Sequence, residues 1–317
     1  IDLPKARAGG FAGGFFAVYV PSPLDMAARN AAMAGDSYDL PLPTPIPWED
    51  AFPVALTQTA ILFELERLGA LCVCRTVSDL RAAMDSGKIA AILHLEGAEP
   101  IDADFNSLDV LYQAGLRSIG PVWSRNNDFA HGVPFKFPSD GNIGPGLTPL
   151  GVELVKRCNT MGILVDLSHM NAAGFWDVAE HSTKPLVATH SNAHAICPHS
   201  RNLDDAQLAA IRDSDGLVGL NFAVAFLRKD GRKLDDVPIE QMLRHLDHLI
   251  NILGEDRVGL GSDYDGTITP KEVTTVQDLP KLRQAMAAHG YGDALSAKLC
   301  HQNWLRVLEK TWTPDPT

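Results

Sequence analysis

The chain has 317 residues, 45% of them hydrophobic, which is enough to bury a sizeable core in two domains or one large one. Its formal net charge of −12 argues against a general nucleic-acid binder or a ligand of acidic membranes. No apolar run reaches the roughly 18–20 residues of a membrane span, and no charged-then-apolar leader opens the sequence. The five cysteines (Cys72, Cys74, Cys158, Cys197 and Cys300) are odd in number and match no zinc-ribbon spacing, so they read as reduced thiols of a cytoplasmic protein.

Taken in chain order, the first signal is ARAGGFAGGF (7–16), whose glycines precede a strand rather than a helix and so make a weak phosphate-loop match. The strand-like run GGFFAVYV (13–20) follows, then CVC (72–74) within a short apolar run, then IAAILHLE (89–96). A helix is predicted over 105–116, with Leu108, Leu111 and Tyr112 on one face, before a strand over SIGPVW (118–123). TPLGVELVKRC (148–158) opens with Thr-Pro, a cap followed by proline at the first helical position. GILVDLSH (162–169) and PLVATH (185–190) are two apolar runs, each ending on a histidine, with one helix's worth of chain between them. GLVGLNF (216–222), an amphipathic helix over 239–254, RVGLGSD (257–263) and an amphipathic helix over 296–312 complete the pattern.

Strands that are apolar throughout and alternate with helices predict a parallel sheet covered by helices. Seven such strands are countable, and a closed barrel of this class has eight. The expected fold is therefore α/β, a (β/α)8 TIM-like barrel over a single domain spanning 1–317, with its first strand expected upstream of Ile1.

Barrel enzymes carry their chemistry at the C-terminal ends of strands. The polar residues at those ends are Glu96, Trp123, His169, His190, Asn221 and Asp263. Singly, each has an ordinary reading as a cap, a turn residue or a buried ion-pair member. Together, one glutamate, two histidines and one aspartate at four strand ends point to one rim, with donors suited to Zn²⁺. His94 shares a strand face with Glu96 and is expected just behind it. Arg201, in CPHSRNLDD (197–205), is either a fork for a substrate carboxylate or a surface partner of Asp204 or Asp205. His245 and His248, on the charged helix, are expected at the surface or an interface, and His181, His289 and His301 have no chemical company.

At these residues the sequence resembles the renal (membrane) dipeptidase family of zinc peptidases in the amidohydrolase superfamily, as a bacterial-type soluble member. The matching pieces include LEGAEPID, LYQAGLRSI, GPGLTPLGVELV, GILVDLSHMN, ATHSNAHAICPHSRNLDD, VGLGSDYDG and NWLRVLE, in the family's order over almost the whole chain. The resemblance implies two Zn²⁺ per chain bridged by Glu96, with His169 and His190 each on a single metal. It also implies Asp263 as the proton shuttle and Arg201 as the substrate-binding arginine. The family's His-x-Asp pair, which completes the first metal, is expected before Ile1. Where the family often has a carbonyl-polarising histidine this chain has Trp123, and His131 in the following loop is the candidate replacement. The implied activity is hydrolysis of short dipeptides, L-Xaa-D-Xaa included, by a metal-bridging hydroxide. The rival readings are N-acyl-amino-acid or lactone hydrolysis on the same rim, and a non-catalytic barrel. The expected partners are small dipeptides, with no nucleic acid or membrane and a homodimer allowed; the expected location is cytoplasmic, with export left open.

Overall fold

The structure, a computed structural model, describes residues 1–315. Among these residues ten strands are present: β1 (Gly13–Val18), β2 (Tyr38–Asp39), β3 (Leu71–Val73), β4 (Ile89–Glu96), β5 (Leu116–Gly120), β6 (Lys136–Phe137), β7 (Leu164–Val165), β8 (Val187–Ala188), β9 (Leu217–Asn221) and β10 (Val258–Gly261). Parallel pairing gives the order β1-β4-β5-β7, with β3 also on β4, and separately β8-β9-β10. A parallel bridge from Asp166 to Val187 joins the two sets. The result is one curved array of seven parallel strands, β1-β4-β5-β7-β8-β9-β10, of the expected barrel class. Parallel neighbours need crossovers, and helices supply them: Asn106–Ala114, Pro149–Met161, Ala172–His181, Asp205–Asp213 and Ile239–Leu253 lie between successive strands from β4 to β10.

β1 and β10 are the two ends of the array among the described residues, and neither pairs with the other. An aromatic contact spans them instead. Trp304, from the last helix, donates its indole N–H to Leu260 O on β10 at 3.0 Å and meets Phe15 of β1 edge-to-face at 5.1 Å. Two short strands, β2 and β6, pair antiparallel above the array and fasten a rim loop.

Three local expectations are corrected. The strand over 118–123 stops at Gly120, because Pro121 has no N–H to continue a ladder, and Trp123 stands in the loop beyond. The helix over 296–312 divides into Asp293–Ala297, a π turn at Lys298–Gln302, and Asn303–Thr311. Beyond the turn Asn303 Nδ2 donates to Glu255 O and Val258 O, both at 2.7 Å, and that tertiary anchor is invisible to helical periodicity. His245 is not at the surface: it is fully buried, accepting Ala193 N–H at Nδ1 and reaching Leu227 O through Nε2. A 20-residue helix, Trp48–Arg67, lies outside the patterns named above. No helix among the described residues is long and apolar enough to cross a membrane.

Candidate metal centre

Glu96 is the last residue of β4, while His169, His190 and Asp263 lie just past β7, β8 and β10. Parallel strands bring all four to one rim. His169 Nε2 lies 3.2 Å from Glu96 Oε1, and His190 Nε2 lies 3.5 Å from the same oxygen. The two imidazole Nε2 atoms are 3.1 Å apart. Two nitrogens and one carboxylate oxygen thus converge with one ligand atom each within 4.8 Å of the others, a donor set suited to a borderline divalent cation.

The backbone is bent to make this possible. His169 and Asp263 have φ of +67° and +57°, in the left-handed region that non-glycine residues seldom occupy. Local bonds hold the first of these turns: Ser168 N donates to Asp166 Oδ1 at 3.0 Å, and Val133 N to His169 O at 3.0 Å. Gly261 permits the close approach on the other side, since a Cβ there would lie 2.0 Å from Thr189 O.

Asp166 organises the layer beneath. Its Oδ1 accepts Thr189 N–H at 2.8 Å, and its Oδ2 accepts the Thr189 hydroxyl at 2.5 Å. A hydroxyl has one proton, so Thr189 Oγ1 must accept from His190 Nδ1, 2.8 Å away. That places the proton of neutral His190 on Nδ1 and leaves Nε2 its lone pair, the tautomer a metal ligand requires. His169 Nδ1 meets Ser124 Oγ at 2.9 Å, so its Nε2 also faces Glu96. His94 stands behind, with Nδ1 2.9 Å from Ser118 Oγ and Nε2 3.8 Å from Asp166 Oδ2.

Burial alone would raise Glu96, but its bonds to His169 and His190 hold it well below the carboxylate range. His169 is pushed down to about 3 by burial and by the charge of Arg201. His190 is raised against the same burial, because Glu96, Asp263 and Asp166 surround it. The directions differ because the charge of Arg201 bears on His169 while three acids surround His190. Asp263 is raised by burial and by the Glu96 charge, against His190, Asn221 and Arg201. Asn221 Nδ2 donates to its Oδ2 at 3.2 Å.

Arg201 is buried, not paired with Asp204 or Asp205; Nη2 donates to His190 O at 3.3 Å and Nε has no partner among the described residues. Its guanidinium sits 5.3 Å from the Phe226 ring centre. Trp123 packs on His169 at 5.6 Å between ring centres. His131 bonds through Nδ1 to Gly146 O at 3.0 Å, and no hydrogen bond joins it to the three converging donors among the described residues. Asp204 and Gln207 instead form a reciprocal cap on the helix Asp205–Asp213. His289, read as isolated, pairs with Asp247 at 2.9 Å.

Sequence reading passed over Asp166, Thr189 and Ser124. A lone aspartate inside the apolar run ILVDL was itself the signal, since a buried carboxylate requires donors. It also passed over the buried pair of Arg125 and Glu99, whose Nε–Oε1 distance is 2.9 Å.

The model of the membrane dipeptidase family (peptidase family M19) matches residues 1–314. A metallo peptidase from Rhodobacter sphaeroides, solved with a phosphinate mimic of the dipeptide L-Ala-D-Ala, superposes with a TM-score of 0.97 at 53% identity, covering 98% of this chain and 90% of the other. Dipeptidase AC, a metallo peptidase, is similar at TM-score 0.96 and 53% identity over 98% of this chain and 89% of its own. An uncharacterized protein from the pqqA 5′ region of Klebsiella pneumoniae is 47% identical over 265 residues, 83% of this chain and 98% of its own length.

Proposed function

From the premise that the chain belongs to the membrane dipeptidase family and is a metallo-dipeptidase, we propose that it cleaves the amide bond of short dipeptides, those with a D-residue at the second position included. The observation that carries this reading is the convergence of Glu96 Oε1, His169 Nε2 and His190 Nε2 beside Asp263. Glu96, His169 and His190 would hold zinc, two ions per chain in this reading. Bound there, zinc supplies a Lewis acid for the amide carbonyl and lowers the pKa of a water.

The rest of the reaction falls to the chain's own groups. Asp263 takes the proton of the attacking water and returns it to the leaving amine. Its raised carboxyl fits both halves of that task, because a group that can hold a proton can also deliver one. Arg201 binds the terminal carboxylate: its Nε is buried and unpartnered, and a guanidinium fork matches a carboxylate in the plane. Trp123 and His131 complete the proposed substrate wall, with Trp123 packed on the His169 ring.

Asp263→Asn tests the assignment. It should lower kcat for an L-Xaa-D-Xaa dipeptide by about 100- to 10,000-fold while zinc per chain and KM stay close to the unaltered enzyme. Turnover near the starting rate would overturn the role of Asp263.

A further inference from the structure

Lysines and arginines withdrawn from solvent normally have a carboxylate or a full set of carbonyls. Among the described residues, cations with no carboxylate partner are mostly on the exposed surface, as with Arg7, Lys88 and Lys271, or are spent on backbone carbonyls, as with Arg117. Three half-buried or buried cations fit neither description: Arg201, Arg29 and Lys233. Arg201 is already used. The other two stand on rim loops that dock against each other.

The docking is specific. Lys233 N donates to Met33 O at 2.8 Å, Arg232 Nε to Ala34 O at 2.8 Å, and the Tyr38 hydroxyl to Gly231 O at 2.7 Å. The segment carrying Arg29 is thereby held to the one carrying Lys233. Arg29 gives one N–H to Pro41 O at 3.3 Å and lies 5.9 Å from the Phe135 ring centre. Phe135 in turn lies 6.2 Å from the His169 ring and 5.8 Å from Trp123. Burial pulls the Lys233 ammonium below the usual lysine range, with the Asp263 charge acting in the opposite sense. Two half-buried cations with no salt-bridge partner among the described residues therefore stand on docked segments, and Phe135 connects the first of them to the metal rim.

We infer that Arg29 and Lys233 form a second anion pocket above the rim, which selects dipeptides bearing a carboxylate side chain in addition to the terminal carboxylate taken by Arg201. An aspartyl or glutamyl side chain gives the pair the partner that the fold withholds, and Phe135 forms the apolar floor along which its methylenes lie. The inference rests on the dipeptidase reading and deepens it.

The test compares kcat/KM for dipeptides with Glu or its neutral isostere Gln, at the first and at the second position in turn. The enzyme should favour Glu over Gln at one of the two positions by about 10-fold or more, as charge-assisted bonds imply. That ratio should fall toward 1 when salt is raised from low to high, a readout that needs no variant. It should also collapse in Arg29→Met/Lys233→Met and survive in Arg29→Lys. Equal rates for Glu and Gln at both positions, or a ratio that the double variant retains, would overturn the pocket. Failure to hydrolyse any dipeptide, neutral ones included, would instead overturn the dipeptidase reading itself.

Discussion

Glu96 and Glu99 share one short segment of chain, and the fold treats them in opposite ways. Glu99 is matched to a single cation. Arg125 Nε and Nη2 both lie 2.9 Å from its Oε1, and Nη1 reaches Val20 O at 3.0 Å and Ser22 Oγ at 2.5 Å. The carboxylate packs so closely under the chain that a Cβ on Gly97, at φ +108°, would stand 2.2 Å from its Oε2. Glu96 faces two imidazole nitrogens whose other ring atoms are already engaged by Ser124 and Thr189. A buried carboxylate that meets its own guanidinium closes a structural contact, tying the ends of β1 and β4 together. A buried carboxylate that meets two lone-pair donors leaves positive charge to be supplied from outside the chain. Burial is common to both; what separates structure from function is whether the partners bring the charge with them.

The sharpest way to break that comparison is Glu96→Gln. It should reduce both divalent metal per chain and dipeptide turnover, the latter by more than about 100-fold. Retained metal together with retained turnover would mean that Glu96 is a structural acid like Glu99. Arg125→Met should do the reverse. By stranding Glu99 it should cost about 3–5 kcal/mol in denaturant unfolding, and adding Glu99→Met should recover most of that loss. A single variant as stable as the starting protein would show the pair to be dispensable.

His245 supplies the smaller and finer contrast, a buried histidine with both nitrogens on backbone groups. Burial lowers it to about 4, so the unfolded chain binds its proton first as pH falls below the ordinary histidine range. The stability it contributes is complete above about pH 6.5 and is lost progressively down to about pH 4, a change of roughly 3 kcal/mol. Unfolding curves of His245→Gln should have a flatter slope over that interval, and an unchanged slope would assign the acid limb to other groups.

How much of this was legible beforehand depends on the type of constraint. Glu96, His169, His190 and Asp263 could be picked out because a polar residue at the end of an apolar strand is conspicuous, and parallel strands must end at one rim. The partition of the histidines was less visible. His245 and His248 stand close together on one amphipathic helix, yet the first is sealed under Ala193 and Leu227 while the second pairs with Asp205 at 2.7 Å. Which face of that helix meets the neighbouring loops is a matter of packing between distant segments, and periodicity alone misplaced it.

The sequence by itself determined the strand–helix alternation, the rim on which Glu96, His169, His190 and Asp263 gather and the kinds of donor it carries, because these follow from local hydrophobicity and strand polarity. Tertiary structure alone decided the rest. It turned the Nε2 atoms of His169 and His190 toward one oxygen, fixed the His190 tautomer through Thr189 and Asp166, and left Arg29, Arg201 and Lys233 without a salt-bridge partner among the described residues. The physical reason is that a hydrogen bond or an unpaired charge is defined by two groups at once. Where those groups come from segments far apart in the chain, no window along the sequence contains both.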